Sequence, residues 1–259
     1  ANENIPVYCA SGEMPNLKAA ARFLAAQLGI RTRSIEKGEY WNPSREGMRN
    51  AVDSAMTNAK GKNIYLSDAP LSLPAAISDI NYYYHRFGVK RFLFDRVGLF
   101  DEVVNSQKND VKMRDMVIAS LRRVANVLGV GIIIFSQLTK EAEKGESKRP
   151  EGHMIFGGTG GPANCTKAAL IYRPEAHKLS EFKAGPYKGT AADGLAEVFT
   201  VYNNSDELRS ALVRFVGDRQ LFATNDGDHF DQDITSDKAT DDSDDSKIDQ
   251  TFQDNELPF

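Results

Sequence analysis

The chain has 259 residues, of which 41% are hydrophobic and 26% are charged, and its formal net charge is −4. This length can bury a sizeable core in one large domain or two small ones. Apolar runs such as "GVGIIIF" are too short to cross a bilayer, and the start "ANENIPVYCASG" lacks the basic and apolar regions of a secretion signal. The two cysteines, Cys9 and Cys165, and four scattered histidines make neither a disulfide framework nor a metal-ligand cluster. These features predict a reduced, cytoplasmic protein with no membrane partner.

The charge is divided unevenly along the chain. Residues 226–259 contain twelve Asp and Glu against Lys238 and Lys247, whereas residues 1–225 contain 30 Lys and Arg against 24 Asp and Glu. A basic body with an acidic tail is typical of proteins that bind nucleic acid, with a tail that competes for that surface or reaches a partner. A tail that only aids solubility is the alternative. We predict one folded domain over 1–225 and a disordered acidic tail over 226–259.

Strands and helices alternate through the first half of the chain. Short apolar runs predict strands, and apolar residues at helical spacing predict amphipathic helices. In chain order the predicted elements are strand 5–11, helix 16–29, helix 43–59, strand 63–68, helix 72–88, strand 89–100, helix 110–129, strand 130–138, strand 168–174, strand 195–203 and a hairpin over 211–223. Nearly all-apolar strands between helices are typical of an α/β fold with a mostly parallel sheet covered on both faces. The late strands predict an antiparallel extension at one edge of that sheet.

Polar residues lie near the ends of three predicted strands. Glu13 follows the first strand, Asp95 lies near the end of the third, and Gln137 lies near the end of the fourth. Parallel α/β sheets bind ligands at the carboxyl ends of their strands. Nucleotide hydrolases use two acids and a glutamine in such places to orient water, hold Mg²⁺ and sense phosphate. The alternative is that each residue caps a helix or a loop.

The order of these motifs resembles that of a known family. The segments "VYCASGEM", "NIYLSDAPLSLPAAI", "FLFDRVGLF", "SQLTKEAEKGESKRP", "GGTGG" and "ALIYRPE" are arranged as in the RecA-type motor domain of DnaB-family replicative helicases, including the phage primase-helicases. The resemblance covers residues 5–222 and implies a RecA-like three-layer sandwich. It implies that Glu13 is the catalytic glutamate, that Asp95 is the Walker B aspartate, and that Gln137 couples nucleotide to DNA.

The same resemblance places DNA-binding loops around residues 101–112 and 140–161. Lysine and arginine side chains and glycine amides in such loops can reach phosphates. We predict that the DNA-binding residues are Lys108, Lys112, Lys140, Lys144, Lys148, Arg149, Gly157, Gly158, Gly160 and Gly161. Aromatic residues that can stack on bases are Tyr82, Tyr83, Tyr84, Phe156 and Tyr187, although tyrosines on a helix also pack in cores.

Two parts of the family's hydrolysis machinery are missing from this sequence. The family's phosphate loop ends in Gly-Lys-Ser/Thr, and the nearest string here, "GEMPNLKA" over residues 12–19, lacks the second glycine and the hydroxyl residue. The family places a Lys and an Arg near the end of the penultimate strand, where this chain has "YNN" at 202–204. Arg96 directly follows Asp95 and can neutralise it. We therefore expect a degenerate ATPase that needs neither a cofactor nor a metal.

The chain ends in "DNELPF" after its acidic stretch. This tip resembles the C-terminal tip of bacterial single-stranded DNA-binding proteins. A flexible anionic tether can deliver a terminal Phe and its carboxylate to an apolar pocket rimmed by Arg or Lys. We predict that replication or repair proteins bind the tip residues, which are Asp254, Glu256, Leu257, Pro258 and Phe259.

Three functions remain open. The first, which we favour, is a single-stranded DNA-binding protein of phage-like DNA replication in the bacterial host cytoplasm, derived from a helicase motor and unable to hydrolyse ATP. The second is an enzyme, the C-terminal portion of an ATP- and Mg²⁺-dependent DnaB-type helicase whose phosphate loop lies upstream. The third is a loader-like partner of an active helicase ring. The "YNN" replacement favours the first function and the retained Glu13, Asp95 and Gln137 favour the second, while a homo-oligomer is compatible with each.

Overall fold

A computed structural model describes residues 5–59, 63–106, 109–155 and 164–224. The helices and strands of these residues are β1 (Val7–Ser11), α1 (Asn16–Leu28), α2 (Thr32–Glu36), α3 (Glu46–Ala59), β2 (Ile64–Ser67), α4 (Leu73–Phe87), β3 (Arg91–Asp95), α5 (Asp101–Val104), α6 (Asp110–Leu128), β4 (Gly131–Ile134), β5 (Lys167–Tyr172), β6 (Leu195–Asn203), β7 (Ser210–Val216) and β8 (Leu221–Thr224). The predicted site residues that lie outside the described residues are Lys108, Gly157, Gly158, Gly160, Gly161 and the five tip residues.

The first four strands form one parallel sheet in the order β2-β1-β3-β4. Ser11 pairs with Asp95 between β1 and β3, and Phe94 pairs with Ile134 between β3 and β4. This sheet confirms the predicted α/β class. Because the strands run in one direction, their carboxyl ends meet at one edge, and each connecting helix begins at that edge and ends at the opposite one.

One face of the parallel sheet is fully covered by helices. Tyr8, Phe92 and Phe94 on this face are at most 1% exposed and pack under α4 and α6 in the largest apolar cluster. The sequence sets the ends of α4, since the Ser72 hydroxyl accepts a hydrogen bond from an amide of its first turn and Gly88 ends it at a φ of 67°. Among the described residues, no helix is long and apolar enough to cross a membrane.

The other face of the sheet is covered only in part. Helices α1 and α3 pack together in an apolar cluster of their own, and α1 contacts β2. At the far side of the sheet, Ile133 of β4 is 55% exposed and Phe135 just beyond it is 46% exposed. Among the described residues, no strand pairs with the outer edge of β4. An apolar sheet face and an unpaired edge are thus exposed side by side.

The last four strands form a separate antiparallel sheet in the order β5-β6-β7-β8. The sequence predicted that they would extend the parallel sheet, but no pairing in the described residues joins β5 to β4. The long connection after β4 lets β5 form elsewhere. Tyr172 and Phe199 pack with Phe182, which lies on the connection between β5 and β6 and is fully buried. The predicted hairpin over 211–223 is confirmed by β7 and β8.

A buried ion pair ties the lysine-rich connection after β4 to the antiparallel sheet. The Arg149 guanidinium donates from Nε and Nη2 to the two carboxylate oxygens of Glu197, each at 2.8 Å, and Ser210 donates to the same carboxylate at 2.7 Å. Glu197 is fully buried, and the guanidinium also stacks 3.8 Å from the centre of the Phe199 ring. These hydrogen bonds raise the pKa of Arg149. Gly185 is needed beside it, since a Cβ there would lie 2.6 Å from Arg149 Nε.

Replacing Glu197 with Ala should leave the Arg149 guanidinium without its carboxylate. We expect the free energy of unfolding, measured by urea denaturation, to fall by about 3–5 kcal/mol. The matched control is Glu181→Ala, which removes an exposed carboxylate paired with Lys183 and should leave the urea midpoint nearly unchanged. Equally small changes in both variants would contradict the structural role of the buried pair.

Candidate functional site

Glu13, Asp95 and Gln137 lie at the carboxyl edge of the parallel sheet, as predicted. Ser11 of β1 is paired with Asp95 of β3, and the amide of Gly12 donates to the Asp95 carbonyl oxygen at 2.8 Å. Gln137 follows β4, three residues beyond the Phe94–Ile134 pair. Glu13 and Gln137 are exposed and Asp95 is half-buried. The fold therefore brings the two acids to adjacent strand ends, those of β1 and β3.

Arg96 pairs with Glu13. Its Nη1 lies 2.7 Å from Glu13 Oε1, and the two side chains are 23% and 42% exposed. The sequence led us to expect that Arg96 would neutralise Asp95, its neighbour in the chain. The positive charge of Arg96 does favour the ionised form of Asp95, but the ion pair that Arg96 forms is with Glu13. The Glu13 carboxylate, which the resemblance implies is catalytic, is thus paired with the Arg96 guanidinium.

Asp95 is harder to ionise than an ordinary aspartate. Burial is the main cause that raises its pKa, and the negative charge of Glu13 acts in the same direction. Arg96, a hydrogen bond from Ser11 and Arg22 lower the pKa, but not enough to cancel the increase. Among the described residues, no group of three or more His, Cys, Asp or Glu side chains could hold a metal ion. The two acids would need ligands from elsewhere to complete a cation site.

Two further arginines approach this edge, and the sequence reasoning missed both. Arg22 of α1 acts electrostatically on Asp95, next to the buried residues Ala21 and Ala25. Arg114 of α6 lies against Gly98, where a Cβ would come within 3.3 Å of Arg114 Nη2. The signal available in the sequence was weak, because one arginine beside the buried face of a helix does not indicate which strand end it reaches.

The segment over residues 12–19 does not form a phosphate-binding loop. The amide of Gly12 donates to the Asp95 carbonyl oxygen. The amides of Glu13 and Met14 donate to the Ser11 hydroxyl oxygen at 3.3 and 3.2 Å. At the start of α1, the amide of Asn16 donates to the Asp68 carboxylate at 3.0 Å. These amides are already used, and a carboxylate lies where a phosphate would approach the helix N-terminus. The residues present do not fit the phosphate cradle that the family uses.

The lysine-rich connection begins directly after Gln137. Lys140 and Lys144 are exposed. In contrast, Lys148 Nζ donates to the Glu143 carbonyl oxygen, and Arg149 is held in its buried pair with Glu197. The structure therefore leaves Lys140 and Lys144 as the exposed cations of this connection and gives Arg149 a structural role.

A cavity of about 150 Å³ lies between this connection and β5. Leu138, Pro150 and Ile171 contribute apolar walls, and Lys148 and His177 contribute polar ones. The hydroxyl oxygen of Thr139, another lining residue, is buried and has no hydrogen-bond partner among the described residues. The cavity can admit a small polar group next to the exposed lysines.

The three tyrosines of α4 that were predicted to stack on bases do not lie at this edge. Tyr83 packs against Tyr8 and Tyr65 with ring centroids 4.6 and 4.9 Å apart, and Tyr84 packs against the main core. Tyr82 is 56% exposed, but it lies in the last turns of α4, which end toward the opposite edge of the sheet. Tyr187 packs against the antiparallel core, and Phe156 lies outside the described residues. Lys112, by contrast, is exposed in the first turn of α6, on the carboxyl side.

A cation lies near the end of β6, where the sequence has "YNN". Residues 202–204 supply none, as the sequence shows. However, Arg209, at the start of the returning strand, donates its amide to Thr200 Oγ1 at 2.6 Å. Its guanidinium lies 2.9 Å from Asp206 and is 74% exposed. The "YNN" replacement is therefore a weaker argument against hydrolysis than the sequence indicated.

Comparisons with known proteins agree with this geometry. The family model for the DnaB-like helicase C-terminal domain matches residues 1–203. A replicative DNA helicase DnaB of Geobacillus stearothermophilus is 27% identical over 153 residues, which are 58% of this chain and 32% of that protein. Two solved structures, one an ATPase domain and the other a DnaB-like replicative helicase described with its primase interactions, each give a TM-score of 0.73 at 16% identity over 85% of this chain. The matches cover 75% and 51% of those two chains, so the chain spans about a third of the curated relative and half to three quarters of the solved structures.

Asp95→Asn should stabilise the folded protein at neutral pH. Because the pKa of Asp95 is raised in the folded state, the contribution of Asp95 to stability falls as pH rises from the unfolded pKa of about 3.9 through the folded pKa, and the cost is fully present above it. The variant avoids this cost, so its melting temperature should exceed that of wild type at pH 7. The difference should disappear near pH 3. Asp53→Asn, at an exposed position of α3, is the control, and an unstabilised Asp95→Asn at pH 7 would refute the argument.

Proposed function

The chain belongs to the family of DnaB-like helicase C-terminal domains, and we propose that it is part of a replicative DNA helicase motor. In this proposal it supplies the acidic residues of the nucleotide site and binds single-stranded DNA. A further strand, phosphate loop and helix, supplied by polypeptide outside the described residues, completes the motor. This replaces the stand-alone DNA-binding protein as the first candidate.

One observation carries this proposal, the open side of β4. A parallel sheet with apolar residues on both faces is stable when both faces are covered. Here Ile133 and Phe135 are exposed on the partly covered face, and the outer edge of β4 is unpaired among the described residues. The unpaired edge of β4 is separated from Asp95 by one strand and from Glu13 by two. A strand added there would end at the same carboxyl edge as the two acids, where a phosphate loop could face them across the ends of β4 and β3.

This chain supplies one side of the proposed nucleotide site. ATP with Mg²⁺ would supply a transferable phosphoryl group and the charge that stabilises its transfer. Glu13 and Asp95 suit the acidic side of such a site, but residues 12–19 do not suit the phosphate side. The described residues alone therefore support no hydrolytic step.

Single-stranded DNA binding is the part of the proposal that this chain can perform by itself. Lys140, Lys144 and Lys112 are exposed on segments that follow the carboxyl edge of the sheet. Exposed cations on such segments neutralise backbone phosphates without reading sequence. A motor that moves along DNA needs this sequence-independent contact.

The second candidate is a stand-alone single-stranded DNA-binding protein that does not hydrolyse ATP. The Glu13–Arg96 pair favours it, because a carboxylate held at 2.7 Å by a guanidinium is a poor base. For this candidate, the acidic tail recruits replication or repair proteins, in a phage-like context within the host cytoplasm. One solved neighbour is described with primase, which makes primase a reasonable first partner to test. Assembly into a homo-oligomer is proposed for both candidates.

Lys140→Ala combined with Lys144→Ala should weaken binding of a fluorescent oligo-dT. The slope of log K against log salt should decrease by about 0.7 for each DNA phosphate that the variant no longer neutralises. The measurement is fluorescence anisotropy across a salt series without nucleotide. Deleting residues 226–259, which carry twelve acidic side chains, should tighten binding if the tail competes with DNA.

The matched control for this experiment is Lys37→Ala combined with Lys90→Ala. Both lysines are exposed, and Lys90 directly precedes β3 at the opposite edge of the sheet. This variant has the same net charge but should bind oligo-dT nearly as wild type does. Equal weakening by both pairs would show a non-specific charge effect, and absence of wild-type binding at low salt would sink the DNA-binding proposal.

Ile133→Lys combined with Phe135→Lys should reduce binding of a hydrophobic dye without lowering the melting temperature. Both side chains are about half exposed, and edge charges block the addition of another strand. The control is Ile132→Lys, which faces the main core and should destabilise the fold. A large loss of stability in the double variant would mean that this surface is already covered.

The two candidates differ in what the upstream DNA encodes. The helicase candidate expects a Gly-Lys-Ser/Thr loop in the reading frame preceding the codon of Ala1, on a polypeptide that co-purifies with this chain. Ile133→Lys combined with Phe135→Lys should then abolish co-purification. A preceding frame without such a loop would favour the stand-alone protein.

A further inference from the structure

Two arginines at the carboxyl edge have unused hydrogen-bond donors. The Nε atoms of Arg22 and Arg96 are buried and have no hydrogen-bond partner among the described residues. A guanidinium carries five N–H donors in a rigid fork that matches phosphate oxygens. Buried donors of this strength are normally satisfied, so each unsatisfied one calls for an explanation. Their position beside Glu13 and Asp95 makes a bound anion the natural acceptor.

The contact between Arg96 and Glu13 can be exchanged for another. The side chains are 23% and 42% exposed, and ion pairs at such positions contribute little net stability. A phosphate accepts two parallel hydrogen bonds from a guanidinium, which makes that contact the stronger one. A phosphate arriving at this edge can therefore displace the carboxylate from Arg96.

We propose that Arg96 is an anion-operated latch on Glu13. In the free protein Arg96 holds the Glu13 carboxylate. A polyphosphate bound at the carboxyl edge takes Arg96, with Arg22 as a second donor, and releases Glu13. This inference rests on the proposed nucleotide site, and it assigns the anion contact to guanidinium groups in place of the amides that residues 12–19 use internally. Arg96 and Arg22 are anion-binding residues in this scheme.

The latch predicts that substitutions of Arg96 and of Glu13 change the affinity for polyphosphate in opposite directions. Inorganic tripolyphosphate, titrated by calorimetry at low salt without Mg²⁺, is the probe. Arg96→Gln should weaken its binding about tenfold or more, because a charge-assisted hydrogen-bond donor is removed. Glu13→Gln should tighten binding by about two- to fivefold, because Arg96 no longer has a competing carboxylate. Removal of any negative charge at this edge favours anion binding, so Asp95→Asn, which leaves the Glu13–Arg96 pair intact, should tighten binding less than Glu13→Gln does, and equal tightening would contradict the latch.

Each control variant makes the same substitution as a latch variant, at a position away from the carboxyl edge. Arg91→Gln alters the exposed arginine at the other end of β3, and Glu36→Gln alters an exposed acid at the end of α2. Neither should change tripolyphosphate binding. Arg22→Gln should weaken it, and Arg96→Lys should retain part of it, because the charge remains although the planar fork is absent.

Several outcomes would overturn the latch. They are absence of wild-type tripolyphosphate binding, unchanged or weaker binding by Glu13→Gln, or unchanged binding by Arg96→Gln. If Arg96→Gln does not fold, as a melting curve would reveal, the difference between Glu13→Gln and Asp95→Asn still decides. If oligo-dT displaces tripolyphosphate from the protein and ATP does not, the phosphate that operates the latch comes from nucleic acid. The oligo-dT experiment with the lysine variants is independent, so failure of the latch and failure of the proposed DNA binding are distinguishable.

Discussion

The pairing of β1, β3 and β4 in one parallel sheet is the constraint on which the site depends. Parallel strands deliver whatever follows them to one edge, so Glu13, Asp95 and Gln137 become neighbours although they are far apart in the chain. The same geometry sends the far ends of the connecting helices to the opposite edge. It therefore also removes the tyrosines of α4 from the functional surface. A single topological fact decides which predicted residues can act together.

The apolar character of the sheet creates a second constraint. Strands with Ile, Leu and Phe on both faces need cover on both, and only the face under α4 and α6 is covered completely. The exposure of Ile133 and Phe135 is then more than a scattered surface feature, because it coincides with the unpaired edge of β4. In the proposed function, this open side is the place where the rest of a motor packs.

Electrostatics at the carboxyl edge is divided between acids and arginines. Asp95 is kept hard to ionise by burial and by Glu13, while Glu13 is held by Arg96. The amides of residues 12–19 are used by the protein itself. Away from this edge, the Arg149–Glu197 pair anchors the connection that carries Lys140 and Lys144. In the sequence "KGESKRP", Lys144 is exposed, whereas Lys148 donates to a backbone carbonyl and Arg149 has a structural role.

The sequence by itself determined the α/β class, nearly all helix and strand positions, and the three polar strand ends, because apolar periodicity and glycine stops are local signals. It also indicated that residues 12–19 match a phosphate loop only in part, since the second glycine and the hydroxyl residue are missing. Only the tertiary structure decided that Arg96 pairs with Glu13, that Arg22 reaches Asp95 and that Arg149 is structural. It also decided that β5–β8 form their own sheet and that Arg209 lies near the end of β6. These outcomes depend on which side chains meet across distant segments, and a charged residue carries no local mark of the partner it will find.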